Sequence, residues 1–394
     1  MRGCVMFATL KKPVFMKICA LPFSLMLVSS MSWAIAVLYA LDLGANTFQV
    51  NLISTIRQTM GIFLLVPFGI LSDRLGRKPM ILYSRALIVL GTFIYAFAGD
   101  PNHLLIASFV GGFAGGGVFP ILLSMIGDIA KRGERREAIS TLFLFSSIGM
   151  LLGPIICTLL LALPQITLRS IYQIQIIAQI GILLYMVKQL HETKPNTLES
   201  ERIEYRIHIS DLLHQRHFQS LLVMSFLYFF SRSIINTYIP IYARIDLNLS
   251  DVEIASLSIY RNLAIMLIRF LSATALSKIP IRSFLISALI LGGLSGFTGF
   301  LANNYISLVL VLFTSGLSYG ATAILGNTLI ARNSTSQNRG VANSLYTFAQ
   351  STGNFTLIFT SPIADGLGFV PMFLISGATA LLATTPILLR KPNR

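Results

Sequence analysis

Apolar residues run through this chain in long unbroken blocks, separated by short polar interruptions. A helix needs about 20 apolar residues to cross a bilayer core. On that window the pattern predicts twelve spans, at 15–40, 48–71, 80–98, 103–127, 138–162, 168–189, 218–242, 252–275, 281–300, 304–330, 341–362 and 370–388. The ten-residue alternation of a transmembrane β-barrel is absent from the pattern. Most breaks are a few residues long. The exception is 190–217, HETKPNTLESERIEYRIHISDLLHQRHF, which is polar, mixed in charge and divides the spans six and six. The expected organisation is an N-terminal six-helix bundle (1–189), a linker loop (190–217) and a C-terminal six-helix bundle (218–394).

Composition agrees with an all-α integral membrane protein. The 394 residues are 54% hydrophobic and 11% charged, against about 25% charged in a soluble domain. The net charge of +15 has a topological origin. With the N-terminus placed inside, 23 of the 30 Lys and Arg residues fall in inner segments and only Arg169 and Arg244 in outer ones. That bias is the positive-inside rule, so it needs no nucleic-acid partner and places both termini in the cytoplasm, with the chain in the plasma membrane. Lys11, Lys12 and Lys17 precede an apolar stretch too long for a secretory leader, which is therefore read as the first span. Cys4, Cys19 and Cys157 are odd in number and lie in or near apolar segments, so no disulfide framework is expected. His214 and His217 stand three apart but have no cysteine near them, and no metal site is expected.

The two halves share a register. A shift of 204 residues lays LDLGANTFQVNLISTIRQ (41–58) over IDLNLSDVEIASLSIYRN (245–262), pairing Asp42 with Asp246, Ser54 with Ser258 and Arg57 with Arg261. It also carries Gly112 to Gly316, Gly116 to Gly320 and Gly149 to Gly353 without a gap. Two six-helix halves repeated in the same orientation are the parallel-repeat plan of rocking transporters.

The most charged short stretch is Ser72-Asp-Arg-Leu-Gly-Arg-Lys-Pro79, between the second and third spans. With Gly69 it spells G-x-x-x-D-R-x-G-R-K: Gly69, Asp73, Arg74, Gly76, Arg77, Lys78. This resembles the signature loop of the major facilitator superfamily, and the twelve spans, long central loop and parallel repeat extend the resemblance over nearly the whole chain. The resemblance implies a cytoplasmic latch between the halves while the cavity faces outward. In it Gly69 permits close helix approach, Asp73 meets the positive end of the eleventh span, and Arg77 bridges Asp73 to Asp128. The plainer alternative is a positively charged topogenic loop with a helix cap, and Lys78 is read only that way. The second-half counterpart, SKIPIR (277–282), has lost the pattern, so a latch is expected on one side only. Gly149-Met-Leu-Leu-Gly153-Pro154 resembles the glycine-proline motif of superfamily exporters, without the further glycine pair after the proline. The fourth span, VGGFAGGGVFP, resembles the superfamily's glycine-rich segment, with Ser108 near the place of the arginine usual in proton-coupled members.

Five arginines lie within spans: Arg57, Arg85, Arg232, Arg261 and Arg269. No acid lies at mid-membrane. A charged side chain there is costly and marks a functional site by default. Arg85 and Arg269 are expected to lean toward the inner interface in a structural role. Arg57 and Arg261, about 15 Å from the outer ends of their helices, are harder to place that way. Each heads a polar stripe, Ser54, Arg57, Gln58 on one helix and Ser258, Arg261, Asn262 on the other, while Arg232 is similarly deep with Asn236 one turn away. Either an anion lies between the two guanidiniums, or both satisfy carbonyls at the seam between halves. The expected function is secondary transport of a small organic solute, anionic in class, by alternating access. The alternative is efflux of drugs or other hydrophobic compounds. The substrate contacts are assigned to Arg57, Arg261, Arg232, Asn236, Gln58 and Asn262, and the latch to Gly69, Asp73, Arg74, Gly76, Arg77 and Asp128. No G-x-x-x-x-G-K-[ST] loop is present and no nucleophile constellation stands out, so neither ATP drive, a cofactor nor an enzyme activity is expected. The expected partners are the solute, the bilayer and a coupling ion, with the chain acting as a monomer.

Overall fold

The computed structural model describes residues 13–129, 135–193, 213–273, 276, 279–334 and 339–389. Most of these residues are helical, and none of them lies in a strand. The helices are α1 (Pro13–Asp42), α2 (Thr47–Leu75), α3 (Arg77–Ala96), α4 (Pro101–Ile129), α5 (Arg135–Leu161), α6 (Leu168–Gln189), α7 (Arg216–Ile245), α8 (Asp251–Ala273), α9 (Ile281–Phe300), α10 (Tyr305–Asn333) and α11 (Arg339–Phe355). A 3₁₀ turn, Thr356–Thr360, continues α11 into α12 (Ser361–Leu367), and α13 (Val370–Leu382) and α14 (Thr385–Leu388) complete the chain. Nine of the described helical segments are long and apolar enough to cross a membrane, with α13 and α14 joined as one of them. α2 and α4, 29 residues each, and the run through α11 and α12 are the other long helical segments.

Several helices outrun the apolar blocks that predict them. The segment 72–79 is expected as a loop, yet Ser72–Leu75 form the last turn of α2 and Arg77–Pro79 the first of α3. Gly76 alone makes the junction, at φ 108°, a conformation that costs a residue with a Cβ dearly. The eleventh block, expected unbroken over 341–362, tightens to 3₁₀ after Phe355. Pro22, Pro67, Pro154 and Pro240 lie inside helices, as membrane helices tolerate when neighbours take up the freed carbonyls.

The chain forms two compact units, Met1–Ala45 with Ile56–Glu199, and Asn46–Thr55 with Ser200–Arg394. In the first, α1 packs on α5 and α6, and α3 on α4 and α6. In the second, α7 packs on α11 and α13, α9 on α10 and α13, and α8 on α10. The second therefore repeats the neighbour pattern of the first. The glycines matched by the 204-residue shift show why the register persists. A Cβ on Gly149 would collide with the Phe23 carbonyl of α1, and one on Gly353 with the Phe226 carbonyl of α7. Gly112 faces the Arg57 carbonyl of α2 and Gly316 the Arg261 carbonyl of α8. Both pairs let backbones approach where larger residues would hold them apart. The first turns of α2 count with the second unit, where buried Asn51 donates to the Tyr238 and Ser361 hydroxyls, both at 2.8 Å.

Candidate functional site

The first unit holds a half-open cavity of about 250 Å³ among α1, α2, α3, α4 and α6. Val28, Ser29 and Ser32 line it from α1, Arg57 from α2, Tyr95 from α3 and Tyr172, Gln175 and Gln179 from α6. Arg57 lies ten residues into α2, about 15 Å along it, and has no hydrogen bond or ion pair among the described residues. Three of the oxygens lining the cavity are already engaged. Ser32 donates to Gln175 Oε1 at 2.9 Å, and the Tyr95 and Ser108 hydroxyls pair at 2.6 Å. Arg85 donates to Gln179 Oε1. Arg85 is 1% exposed, so it does not lean toward the inner interface as expected; a neutral amide inside the bundle holds it instead. Tyr172 stacks on Tyr95 with ring centres 4.9 Å apart, which gives the cavity an aromatic wall.

The second unit treats its equivalent residues differently. Arg261, also ten residues into its helix, donates to Asn236 Oδ1 at 3.1 Å and to Asn262 Oδ1 at 3.4 Å. Arg232 has no hydrogen-bond or ion-pair partner among the described residues, and its guanidinium lies 3.9 Å from the ring centre of Tyr319 and 5.6 Å from that of Phe229. The structure thus brings together Arg261, Asn236 and Asn262, while Gln58 is exposed on α2. The 204-residue shift places Ser32 at Asn236 and Val28 at Arg232. A serine is too short to do for Arg57 what Asn236 does for Arg261, and it is spent on Gln175.

At the α2–α3 junction the backbone N–H groups of Arg77 and Lys78 donate to the Glu192 carboxylate at 2.9 and 3.1 Å. Glu192 follows α6 and caps the positive end of α3. A Cβ on Gly76 would collide with that carboxylate. The Arg77 guanidinium donates to Ser72 Oγ at 3.1 Å, and Arg74 is exposed. The side chains of Asp73 and Asp128, and the surroundings of Gly69, lie outside the described residues, as does Cys4. No group of three metal-ligating side chains occurs among the described residues.

The sequence profile of the Major Facilitator Superfamily matches residues 18–357 and again 221–394. The chain belongs to this superfamily. It is a transporter by family, and its long apolar helices make it a multi-pass membrane protein. Among superfamily relatives it is 23% identical to the multidrug resistance protein MdtL of Klebsiella pneumoniae subsp. pneumoniae over 359 residues, 88% of this chain and 89% of that protein. It is 29% identical to the bacillibactin exporter of Bacillus subtilis (strain 168) over 148 residues, 36% of this chain and 37% of that protein. The superfamily fold is shared with the solved nucleoside transporter NupG, at a TM-score of 0.79 and 12% identity over 95% of this chain and 98% of that one. A POT family transporter in complex with 5-aminolevulinic acid matches at 0.79 and 15% identity, over 95% of both chains.

Sequence reasoning picked out the arginines by their depth and missed Tyr172, Gln175, Gln179 and Glu192. Tyr172, Gln175 and Gln179 fall at helical spacing on the sixth span, a polar stripe legible in IYQIQIIAQ. Nothing local marks Glu192 as a cap, because its partner helix begins 115 residues earlier.

Proposed function

We propose that this superfamily member carries a small organic anion across the plasma membrane by alternating access, with both termini in the cytoplasm. The observation that carries the reading is the charge of the deep polar residues. Arg57 and Arg232 have no ion-pair partner among the described residues, and no acid lines the cavity around Arg57. A solute with a negative group supplies what these guanidiniums lack, through charge-assisted and bidentate hydrogen bonds. In this reading Arg57, Arg261, Arg232, Asn236, Gln58 and Asn262 contact the solute. Gly69, Asp73, Arg74, Gly76, Arg77 and Asp128 form the cytoplasmic latch, which Glu192 steadies by fixing the start of α3. The transporter works as a monomer and draws on a coupling ion. Uptake of a radiolabelled panel of organic acids, amines and neutral solutes into proteoliposomes tests it. Saturable flux confined to acids is expected, and flux confined to cations or neutral compounds contradicts it.

The names of MdtL and of the bacillibactin exporter favour a second reading, export of a larger or more hydrophobic compound. Accumulation of lipophilic dyes in inverted vesicles separates the two.

A further inference from the structure

We propose that the cavity within the first unit is itself a subsite for the carboxylate of a small, partly apolar organic acid. The proposal rests on the anion-transport reading and sharpens it to one unit, one functional group and a size.

The inventory of polar atoms decides the ligand's chemistry. Gln175 is 3% exposed, its Oε1 accepts from Ser32, and its buried Nε2 has no partner. Tyr172 is also 3% exposed, and its hydroxyl has no partner. Gln179 has given its oxygen to Arg85. Arg57 brings a guanidinium with no bond among the described residues. The cavity therefore offers unpartnered N–H and O–H donors from Arg57, Gln175 and Tyr172, and no carboxylate lines it. Buried donors in that state call for an acceptor. An acceptor with two oxygens matches the guanidinium fork and an amide N–H together.

The walls decide the rest of the molecule. Val28, Ile88 and Ala107 are apolar, and the Tyr95 and Tyr172 rings lie against each other. At about 250 Å³ the cavity falls below the roughly 300–1,000 Å³ of drug-sized pockets. A ring or short branched chain bearing one carboxylate meets both conditions. The second unit differs at the matched positions, where Arg232 stands in place of Val28 and Asn236 binds Arg261.

The chain carries one tryptophan, Trp33, next to Ser32 and one turn beyond Ser29 on α1. Its fluorescence, in the purified full-length protein in detergent, reports binding of cyclohexanecarboxylate and of the neutral isostere cyclohexanecarboxamide. We expect a saturable change with the carboxylate and binding at least about tenfold weaker with the carboxamide. Arg57→Lys, which keeps the charge and loses the fork, is expected to weaken carboxylate binding about tenfold. Tyr172→Phe, which keeps the ring, is expected to weaken it about fivefold. Arg282→Lys, at the start of α9 and outside the cavity lining, is expected to leave it unchanged. Equal binding of the two compounds, no saturable binding, or wild-type affinity in both Arg57→Lys and Tyr172→Phe overturns the subsite. Proteoliposome flux of the same acid is measured in parallel. Its absence alongside the expected binding pattern overturns the transport reading while leaving the subsite standing.

Discussion

At the scale of single residues, two matched arginines meet different fates because their neighbours differ by one side chain. Asn236 holds Arg261, whereas Ser32 is turned to Gln175 and leaves Arg57 open. Ser32→Asn should capture Arg57 in the same way. It should weaken carboxylate affinity about fivefold, the equivalent of one ordinary hydrogen bond, without lowering thermal stability. A titration showing unchanged affinity would remove this explanation of the asymmetry. Arg85 makes a second residue-scale case. Its bond to Gln179 secures a guanidinium inside the bundle, so Gln179→Leu should cost about 1–3 kcal/mol, by leaving that group unsatisfied. The double variant Arg85→Met, Gln179→Leu should recover most of the loss, because removing both partners leaves nothing stranded. Thermal unfolding of the purified variants reads both effects.

At the scale of helices, the repeat is kept by close backbone contacts. Gly149→Val and Gly353→Val would each drive a side chain into a carbonyl of the neighbouring helix and should cost about 1–3 kcal/mol or more. Gly181→Ala on α6, where nothing lies within 4 Å, should be neutral or stabilising by about 1 kcal/mol. Melting temperatures that rank the three alike would contradict this packing account. Helix existence was legible because an apolar block of this length has few other uses. Helix ends were less so. The charged Ser72–Leu75 reads as loop by composition but stays helical because Gly76 turns the chain within one residue. The same limit applies to the site. Arg57 and Arg261 stand out in a span because charge there is costly, whereas Gln175, Gln179 and Tyr172 read as ordinary polar packing until their bonding is seen.

At the scale of the whole molecule, charge distribution and repeat argue one topology and one mode of action. A cysteine introduced at Asn304, the cap of α10, should react with an impermeant reagent added outside intact cells, as the 23-to-2 bias of Lys and Arg requires. Labelling only after the membrane is opened would reverse the orientation. Asp73→Asn should lower turnover while sparing folding and substrate affinity, since a latch acts on the exchange between states and not on the solute. Normal turnover in both Asp73→Asn and Arg77→Ala would dismiss the latch. The central claim is that the intramembrane arginines serve to move an anion, and the most direct measurement is flux of a radiolabelled small carboxylate in proteoliposomes carrying wild type, Arg57→Gln or Arg261→Gln. The account predicts saturable carboxylate flux in the wild type and its loss in both variants with folding intact. Carboxylate flux that survives in both variants, or its absence beside active transport of lipophilic cations, would contradict it.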